Sequence, residues 1–173
     1  GGMSLDALDQ LLNRGAGLRG MSGISNDMRD VRQAANAGET GAQAALELFA
    51  YRVKKTIGAY AAALGGLDVL VFTGGIGEND VAARAESVAG LEFLGLRLDA
   101  ARNARGDGVI SSADSAVTVL VVKTDEEGLI AEPSPTLLLC FFGSDITNGT
   151  GGSLESPAAF VIGTSVPSER MQP

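Results

Sequence analysis

One long periodic pattern dominates residues 39–64 of the chain. Apolar residues recur there at spacings of three or four positions, which places them along one face of an α-helix. Alanines fill many neighbouring positions and allow close packing. Gly65 and Gly66 follow directly and favour a helix end. The pattern predicts a long helix with one buried face, formed by Leu46, Phe49, Val53, Ile57, Tyr60 and Leu64.

The pattern then changes to a short apolar run at Leu67–Phe72, which only Asp68 interrupts. Such a run, bounded by glycine, is typical of a strand buried on both faces. The segment Thr73–Gly77 contains three glycines, which let the backbone turn sharply. A helical pattern starts at Glu78–Asp80 and predicts an apolar face formed by Val81, Ala85 and Val88.

The glycine-rich turn at 73–77 is a candidate binding site. A strand end, a glycine turn and a helix start bring backbone N–H groups and the positive end of a helix dipole to one point, which suits the phosphate or ribose oxygens of a nucleotide. The segment does not match the dinucleotide-binding fingerprint G-x-G-x-x-G, because Asp80 occupies the position of the third glycine. It also lacks the Gly-Lys-Ser/Thr sequence of a P-loop. A tight turn without a ligand fits the same pattern equally well.

Shorter patterns elsewhere alternate between helix and strand. Ser4 predicts the N-cap of an amphipathic helix over 4–14, and Ser25, Asn26 or Asp27 predicts the cap of a helix that ends near Ala37. The other predicted elements are a connection with little structure over 15–23, a short strand or extended edge segment over 90–99, a brief helix over 100–103 capped by Asp99, a strand over 109–111 and a buried strand over 116–122. This order predicts an α/β sheet with parallel pairing.

Charged residues near two helix starts have both a chemical and a structural interpretation. Thr124 and Glu127 match the capping box, which leaves Glu126 to point into a cleft at the strand end and reach a Mg²⁺ ion. Taken alone, the local pattern favours the simpler interpretation, in which Glu126 is a solvated acid, Asp27 a helix cap and Arg29 a solvated or ion-paired side chain.

Composition excludes several function classes. The 173 residues carry a net charge of −8, which argues against nucleic acid and anionic membranes as partners. The chain has no histidine, which removes His-based triads and most zinc sites. Its single cysteine, Cys140, excludes an internal disulfide and fits a reducing cytoplasm. No apolar stretch has the length of a membrane span, and no signal peptide is evident.

Residues 132–173 differ from the rest, because they are rich in Pro, Ser, Gly and Thr. We predict two parts on this basis: a domain over 1–131 and a poorly ordered tail over 132–173 that takes no part in the site. The tail contains one apolar run, Leu137–Phe142, which fits either a strand or an aggregation-prone segment.

Five motifs in register make the chain similar to the C-terminal, nucleotide-binding part of the acetate kinase family. The resemblance covers residues 4–131 and rests on Ser22–Asp30, Ala45–Ala63, Val71–Asn79, Gly90–Gly95 and Thr124–Glu127. It implies an actin-like ATPase fold of the sugar kinase/Hsp70, ribonuclease H-like type, in one incomplete copy. It also implies Mg²⁺-dependent transfer of a phosphoryl group between ATP and acetate, giving acetyl phosphate and ADP, and a cytoplasmic homodimer in the intact family member.

The resemblance also assigns site residues. It implies that Asp27, Met28 and Arg29 form a first nucleotide-contact segment, and that Glu126 is linked to magnesium. It implies a second contact segment around the adenosine and inner phosphates, formed by Gly75, Ile76, Gly77, Glu78 and Asn79. No catalytic residue of the family is matched, because the family's N-terminal domain has no counterpart here.

The chain is therefore expected to be a truncated family member that retains some nucleotide affinity and does not turn over acetate alone. Three alternatives stay open. A propionate or butyrate kinase shares most of these motifs, a non-catalytic nucleotide-binding or dimerisation module fits the long helix and the apolar strands, and a fragment without function fits the apparent truncation.

Overall fold

The computed structural model describes residues 2–123, 137–142 and 158–163. The described residues divide into two compact units, one formed by residues up to 53 and the other by residues from 54 onward. The division falls inside the longest helix. The part of the chain that the structure describes contains no helix long and apolar enough to cross a membrane.

The first unit is helical. Ser4 caps the first helix as predicted, because its Oγ accepts a hydrogen bond from the Ala7 N–H at 3.2 Å. None of the residues of this helix is buried, so its leucine stripe is exposed. The predicted connection over 15–23 is instead largely helical. The helices are α1 (Leu5–Gln10), a π-helical turn (Leu11–Gly15), α2 (Gly17–Ser22), α3 (Met28–Asn36) and the start of α4 (Thr40–Leu64).

The long helix α4 confirms the periodic pattern over 39–64. Leu46, Val53 and Ile57 are buried, and the other three predicted face residues are half-buried. Alanines complete the buried face, namely Ala42, Ala45, Ala50 and Ala61. Small side chains therefore make up much of the buried face of the helix, as the alanine-rich sequence predicts.

The second unit contains a five-stranded sheet in the order β2-β3-β1-β5-β4. Strand β1 lies at its centre and runs parallel to β3, with Val69 opposite Thr118 and Phe72 opposite Val121. This confirms the predicted parallel pairing of two buried strands. The strands are β1 (Val69–Thr73), β2 (Gly108–Val109), β3 (Thr118–Val121), β4 (Leu137–Phe142) and β5 (Ala158–Gly163).

Strands β4 and β5 belong to the tail for which the sequence predicted little order. They pair antiparallel with each other, and β5 also pairs antiparallel with β1. Leu137–Phe142 is thus a strand, one of the two interpretations that its apolar run allowed. The remainder of 132–173 lies outside the described residues, and the boundary at 131 stays a prediction.

Two predictions about the segments that follow β1 were wrong. The segment over 90–99 is not a strand but a 3₁₀ turn, Glu92–Leu94, followed by an isolated bridge between Leu98 and Ser111. The turn is favoured locally for two reasons. The Glu92 carboxylate accepts a hydrogen bond from the Gly90 N–H at 3.1 Å, and Gly95 ends the turn at φ +84°. The helices here are α5 (Gly74–Asn79), α6 (Val81–Val88) and α7 (Ala100–Arg105), the last capped by Asp99 as predicted.

The buried face of α6 also differs from the predicted one. Val81 is 39% exposed and Ala85 is exposed, so only Val88 of the three predicted residues is buried. The buried residues are Ala83, Arg84, Ser87 and Val88. The helix is rotated relative to its apolar pattern because the Arg84 guanidinium finds hydrogen-bond partners inside the unit.

Candidate functional site

The glycine-rich turn after β1 is helical from its first glycine. Gly74, at φ +73°, takes the chain from the extended Thr73 directly into α5. The sequence predicted an irregular loop over 73–77 and a helix start at 78–80. Instead α5 ends at Asn79, and Asp80 caps α6 by accepting the Ala83 N–H at 2.9 Å. Only a residue without Cβ adopts this positive φ readily, which is why the turn needs no intervening loop.

Two side chains of α5 fold back onto its first turn. Glu78 Oε1 accepts a hydrogen bond from the Gly74 N–H at 3.0 Å, and Asn79 Nδ2 donates to the Gly75 carbonyl at 2.9 Å. The Gly74 N–H, which the sequence predicted to be open to a ligand, is therefore engaged by a carboxylate. Gly77 packs against β1, since a Cβ on it would lie 3.3 Å from the carbonyl carbon of Phe72. The turn is thus held in one conformation by its own side chains and by the strand.

A half-open cleft of about 410 Å³ lies beside the end of α5 within the second unit. Glu78 and Asn79 line one part of it, and Lys123, just beyond the carboxyl end of β3, lines another. The carboxyl ends of β1 and β3 lie at the same edge of the sheet because the two strands are parallel. The other lining residues are Val81, Arg84, Ala104, Arg105, Gly106 and Asp107. The sequence signal that could have found Lys123 was its place at this strand end.

The first candidate segment, Asp27–Arg29, lies in the other unit at the start of α3. Asp27 caps the helix by accepting the Arg29 N–H at 2.8 Å, and it also accepts two hydrogen bonds from Arg29 Nε, at 3.0 and 3.2 Å. These bonds lower the pKa of the Asp27 carboxyl, the side-chain bond from Arg29 most of all. Met28 is 6% exposed, so its side chain belongs to the core of this unit. The structural roles predicted for Asp27 and Arg29, a cap and an ion pair, are confirmed.

Replacing Asp27 with alanine is expected to lower the free energy of unfolding by about 1 kcal/mol at pH 7, through loss of the cap. The substitution Asp27→Asn keeps a capping oxygen and should cost less at that pH. Because the pKa of Asp27 is lower in the folded chain, its charge stabilises the fold above about pH 4, and this contribution is lost as the pH falls through the folded-state pKa. Urea unfolding at pH 7 and at low pH measures both effects. If the difference in unfolding free energy between wild type and Asp27→Asn does not decrease at low pH, the proposed electrostatic contribution of Asp27 is contradicted.

Glu126, the predicted magnesium-linked residue, lies outside the described residues. Within residues 2–123, 137–142 and 158–163, no group of three or more His, Cys, Asp or Glu side chains is placed to hold a metal ion. The role of Glu126 stays a prediction.

The acetokinase family model matches residues 1–132 of the chain. The chain belongs to the acetokinase family. An acetate kinase of Coprothermobacter proteolyticus is 51% identical over 132 residues, which are 75% of this chain and 33% of that protein. The acetokinase-family chain thus spans about a third of the length of the curated relatives that it matches.

Solved structures agree with this membership. The crystal structure of Porphyromonas gingivalis acetate kinase matches with a TM-score of 0.68 and 44% identity, over 75% of this chain and 33% of that one. A propionate kinase from Francisella tularensis subsp. tularensis SCHU S4 matches with a TM-score of 0.67 and 39% identity, over the same shares. The acetokinase-family chain therefore has the actin-like ATPase fold of these kinases, which confirms the predicted fold class.

The five residues predicted for the second contact segment, Gly75 to Asn79, all lie on the short helix α5. Gly75 and Asn79 are exposed, Ile76 and Glu78 are half-buried, and Gly77 is buried. Sequence reasoning missed Arg84, which donates to the Gly77 and Glu78 carbonyls of this helix, and Asn103, which accepts from Arg84. It had no signal for them, because a lone arginine in a short helix usually faces solvent.

Proposed function

We propose that this chain is the nucleotide-binding part of an acetate kinase. In the whole protein, a phosphoryl group passes between ATP and acetate and gives acetyl phosphate and ADP. The observation that carries the proposal is α5, a self-bonded glycine turn at the carboxyl end of the central parallel strand, inside the family-matched residues. Ligands of open α/β sheets bind at such strand ends.

Residues Gly75–Asn79 are assigned to the adenosine and inner phosphates, and Asp27–Arg29 to a second contact with the nucleotide. The exposed glycine and asparagine of α5 allow a close backbone approach and a side-chain hydrogen bond. Met28 contributes through its backbone, because its side chain is buried. In phosphoryl transfer the protein acts mainly by positioning and by neutralising charge, so a rigid binding segment is itself part of the catalysis.

When bound with the nucleotide, magnesium would supply positive charge against the phosphate oxygens. Glu126 is assigned as its protein partner on the strength of the family resemblance. We further propose a cytoplasmic location and, for the intact protein, a homodimer. The 173-residue chain alone is expected to form no acetyl phosphate from ATP and acetate, and detectable product in a purified preparation would contradict this.

A propionate kinase is the second candidate function. The likeness to the Francisella tularensis propionate kinase, at nearly the same TM-score, favours it. The described residues offer no acyl-selective feature by which to choose. A panel of acetate, propionate and butyrate, tested on a full-length relative, separates the two activities by their kcat/KM values.

Thermal unfolding with and without Mg·ADP tests nucleotide binding directly. A ligand that binds only the folded chain, at about 100 times its Kd, adds roughly 2.7 kcal/mol of stability. This corresponds to an upward shift in Tm of about 5–10 °C for a chain of this size. Asn79→Ala is expected to abolish most of the shift, whereas Asn36→Ala, on an exposed position at the end of α3, leaves it intact.

Other outcomes overturn specific parts of the proposal. A cooperative transition without a ligand-induced shift means that this chain does not bind nucleotide alone. The absence of a cooperative transition favours the fragment without function. Concentration-dependent dimerisation with no response to nucleotide favours the non-catalytic module.

A further inference from the structure

We propose that Arg84 is a positioning residue that fixes the carboxyl end of α5, and that Asn103 in turn fixes Arg84. The effect that we expect on nucleotide binding rests on the proposed function. Neither residue is among the contact residues that the family resemblance assigns. Both act through the conformation of the segment that carries Asn79.

The Arg84 side chain is 1% exposed and makes four hydrogen bonds of 2.8 Å. Nη1 donates to the carbonyls of Gly77 and Glu78, Nε donates to Asn103 Oδ1, and Nη2 donates to the Asn103 carbonyl. Burial lowers the pKa of the guanidinium, and the negative charge of Asp80 acts in the opposite direction. An arginine stays charged in proteins, so its burial is tolerated here because four of its five N–H donors are paired.

Arg84 donates to two backbone carbonyls at the end of α5, where the helix provides no hydrogen-bond partners of its own. The last carbonyls of a helix lack intrahelical partners, and a helix of six residues has little stability of its own. Glu78 and Asn79 side chains satisfy groups in its first turn, and Arg84 satisfies its last turn. The conformation of the whole segment is therefore determined by bonds from both ends.

Asn103 connects Arg84 to α7. It is 4% exposed, accepts from Arg84, and donates through Nδ2 to the Val81 carbonyl at 3.0 Å. A Cβ on Gly106 would lie 3.2 Å from Arg84 Nη2, so the backbone at Gly106 packs closely against the guanidinium. Helices α5, α6 and α7 are tied into one polar network in this way, and Asn79 directly follows a residue that the network binds.

Arg84→Lys tests the inference in the full 173-residue chain. One ammonium group cannot reach Asn103 and both carbonyls at once, so α5 is expected to loosen. We expect affinity for Mg·ADP to fall by about tenfold or more, since several bonds to a charged group are lost. Amide hydrogen exchange at Asn79 and Asp80 is expected to accelerate about tenfold relative to the amides of Leu70 and Val119 in the sheet.

Val88→Ala is the matched control, because Val88 is a buried apolar residue on the same helix and 5% exposed. It is expected to lower global stability while leaving the exchange ratio and the affinity of the folded chain unchanged. If Arg84→Lys fails to fold, the Asn103 variants decide. Asn103→Asp keeps the acceptor for Arg84 and loses only the donor to the Val81 carbonyl, whereas Asn103→Leu removes both, so Asn103→Asp should retain more affinity than Asn103→Leu.

The outcomes separate this inference from the proposed function. If the wild type binds Mg·ADP and Arg84→Lys binds as tightly, with the same exchange at α5, the inference is overturned. If the wild type binds no nucleotide, the part of the proposed function by which this chain binds nucleotide alone fails, and the exchange ratio alone decides. Local acceleration in Arg84→Lys but not in Val88→Ala then supports the positioning of α5, and an equal ratio in both overturns it.

Discussion

Replacing Phe72 with alanine is expected to lower the free energy of unfolding by about 3–5 kcal/mol. Phe72 lies in the central strand β1, is 1% exposed, and pairs with the buried Val121 of β3. Truncating it removes the transfer free energy of a large side chain and leaves a cavity that a close-packed sheet fills only in part. Urea unfolding followed by circular dichroism measures the loss.

Phe93 provides the matched control, because it is the same residue type in the same unit and is 78% exposed. Phe93→Ala is expected to change the free energy of unfolding by less than about 0.5 kcal/mol. Similar losses for the two variants would show that Phe72 is not a core residue.

Gly95→Ala is expected to destabilise the chain by about 2–5 kcal/mol through two separate effects. The first is a left-handed backbone, φ +84°, which costs an L-residue roughly 1–2 kcal/mol. The second is a collision, because the new Cβ would lie 2.8 Å from the Cβ of Ala116. Overpacking of this kind costs about 1–3 kcal/mol, since both backbones are fixed by the Ala116 N–H to Gly95 carbonyl bond at 2.9 Å.

A double-mutant cycle separates the two effects. Gly95→Ala combined with Ala116→Gly removes the collision and is expected to recover about 1–3 kcal/mol relative to the sum of the single changes. Gly65→Ala isolates the backbone effect, because Gly65 has φ +75° and a Cβ there meets nothing within 4 Å. A coupling free energy near zero in the cycle would falsify the steric explanation.

Elements fixed by local interactions were predictable from the sequence. The caps at Ser4 and Asp99 were identified, and the cap of α3 was narrowed to three residues that include Asp27, because a short oxygen-bearing side chain satisfies N–H groups only a few residues away. The helix Thr40–Leu64 was identified because one face repeats over many turns. The parallel pair was predicted from two apolar runs separated by helical segments, which leave a crossover as the natural connection.

The misjudged elements depend on partners far along the chain. Glycine has a poor helix propensity, so nothing local indicated that α5 would be helical from Gly74 onward. The helix exists because Arg84 and Phe72 support it. The rotation of α6 has the same origin, since a polar pattern cannot show that a guanidinium will find three carbonyls and an amide inside the unit.

The candidate site was predicted only in part, because some of its residues come together only in the folded chain. The glycine segment was recognised from composition and order, and the structure places its five residues on one helix. Lys123 and Arg105 were not singled out, because only the folded sheet brings them to the cleft beside Asn79. Whether nucleotide contacts Asp27–Arg29 and Gly75–Asn79 together stays a prediction that the Mg·ADP titrations test.

The parallel pairing of β1 with β3 also sets an order of events during synthesis. Thr118 leaves the ribosome after roughly 45 further residues have followed Thr73, which at about 5–20 residues per second takes about 2–9 s. Throughout that interval the apolar strand Val69–Thr73 has no parallel neighbour, and for roughly the first two thirds of it α5 also lacks the Asn103 that orients Arg84. The central strand β1 and the glycine segment that follows it therefore gain their sheet neighbours only after β3 and β5 have been synthesised.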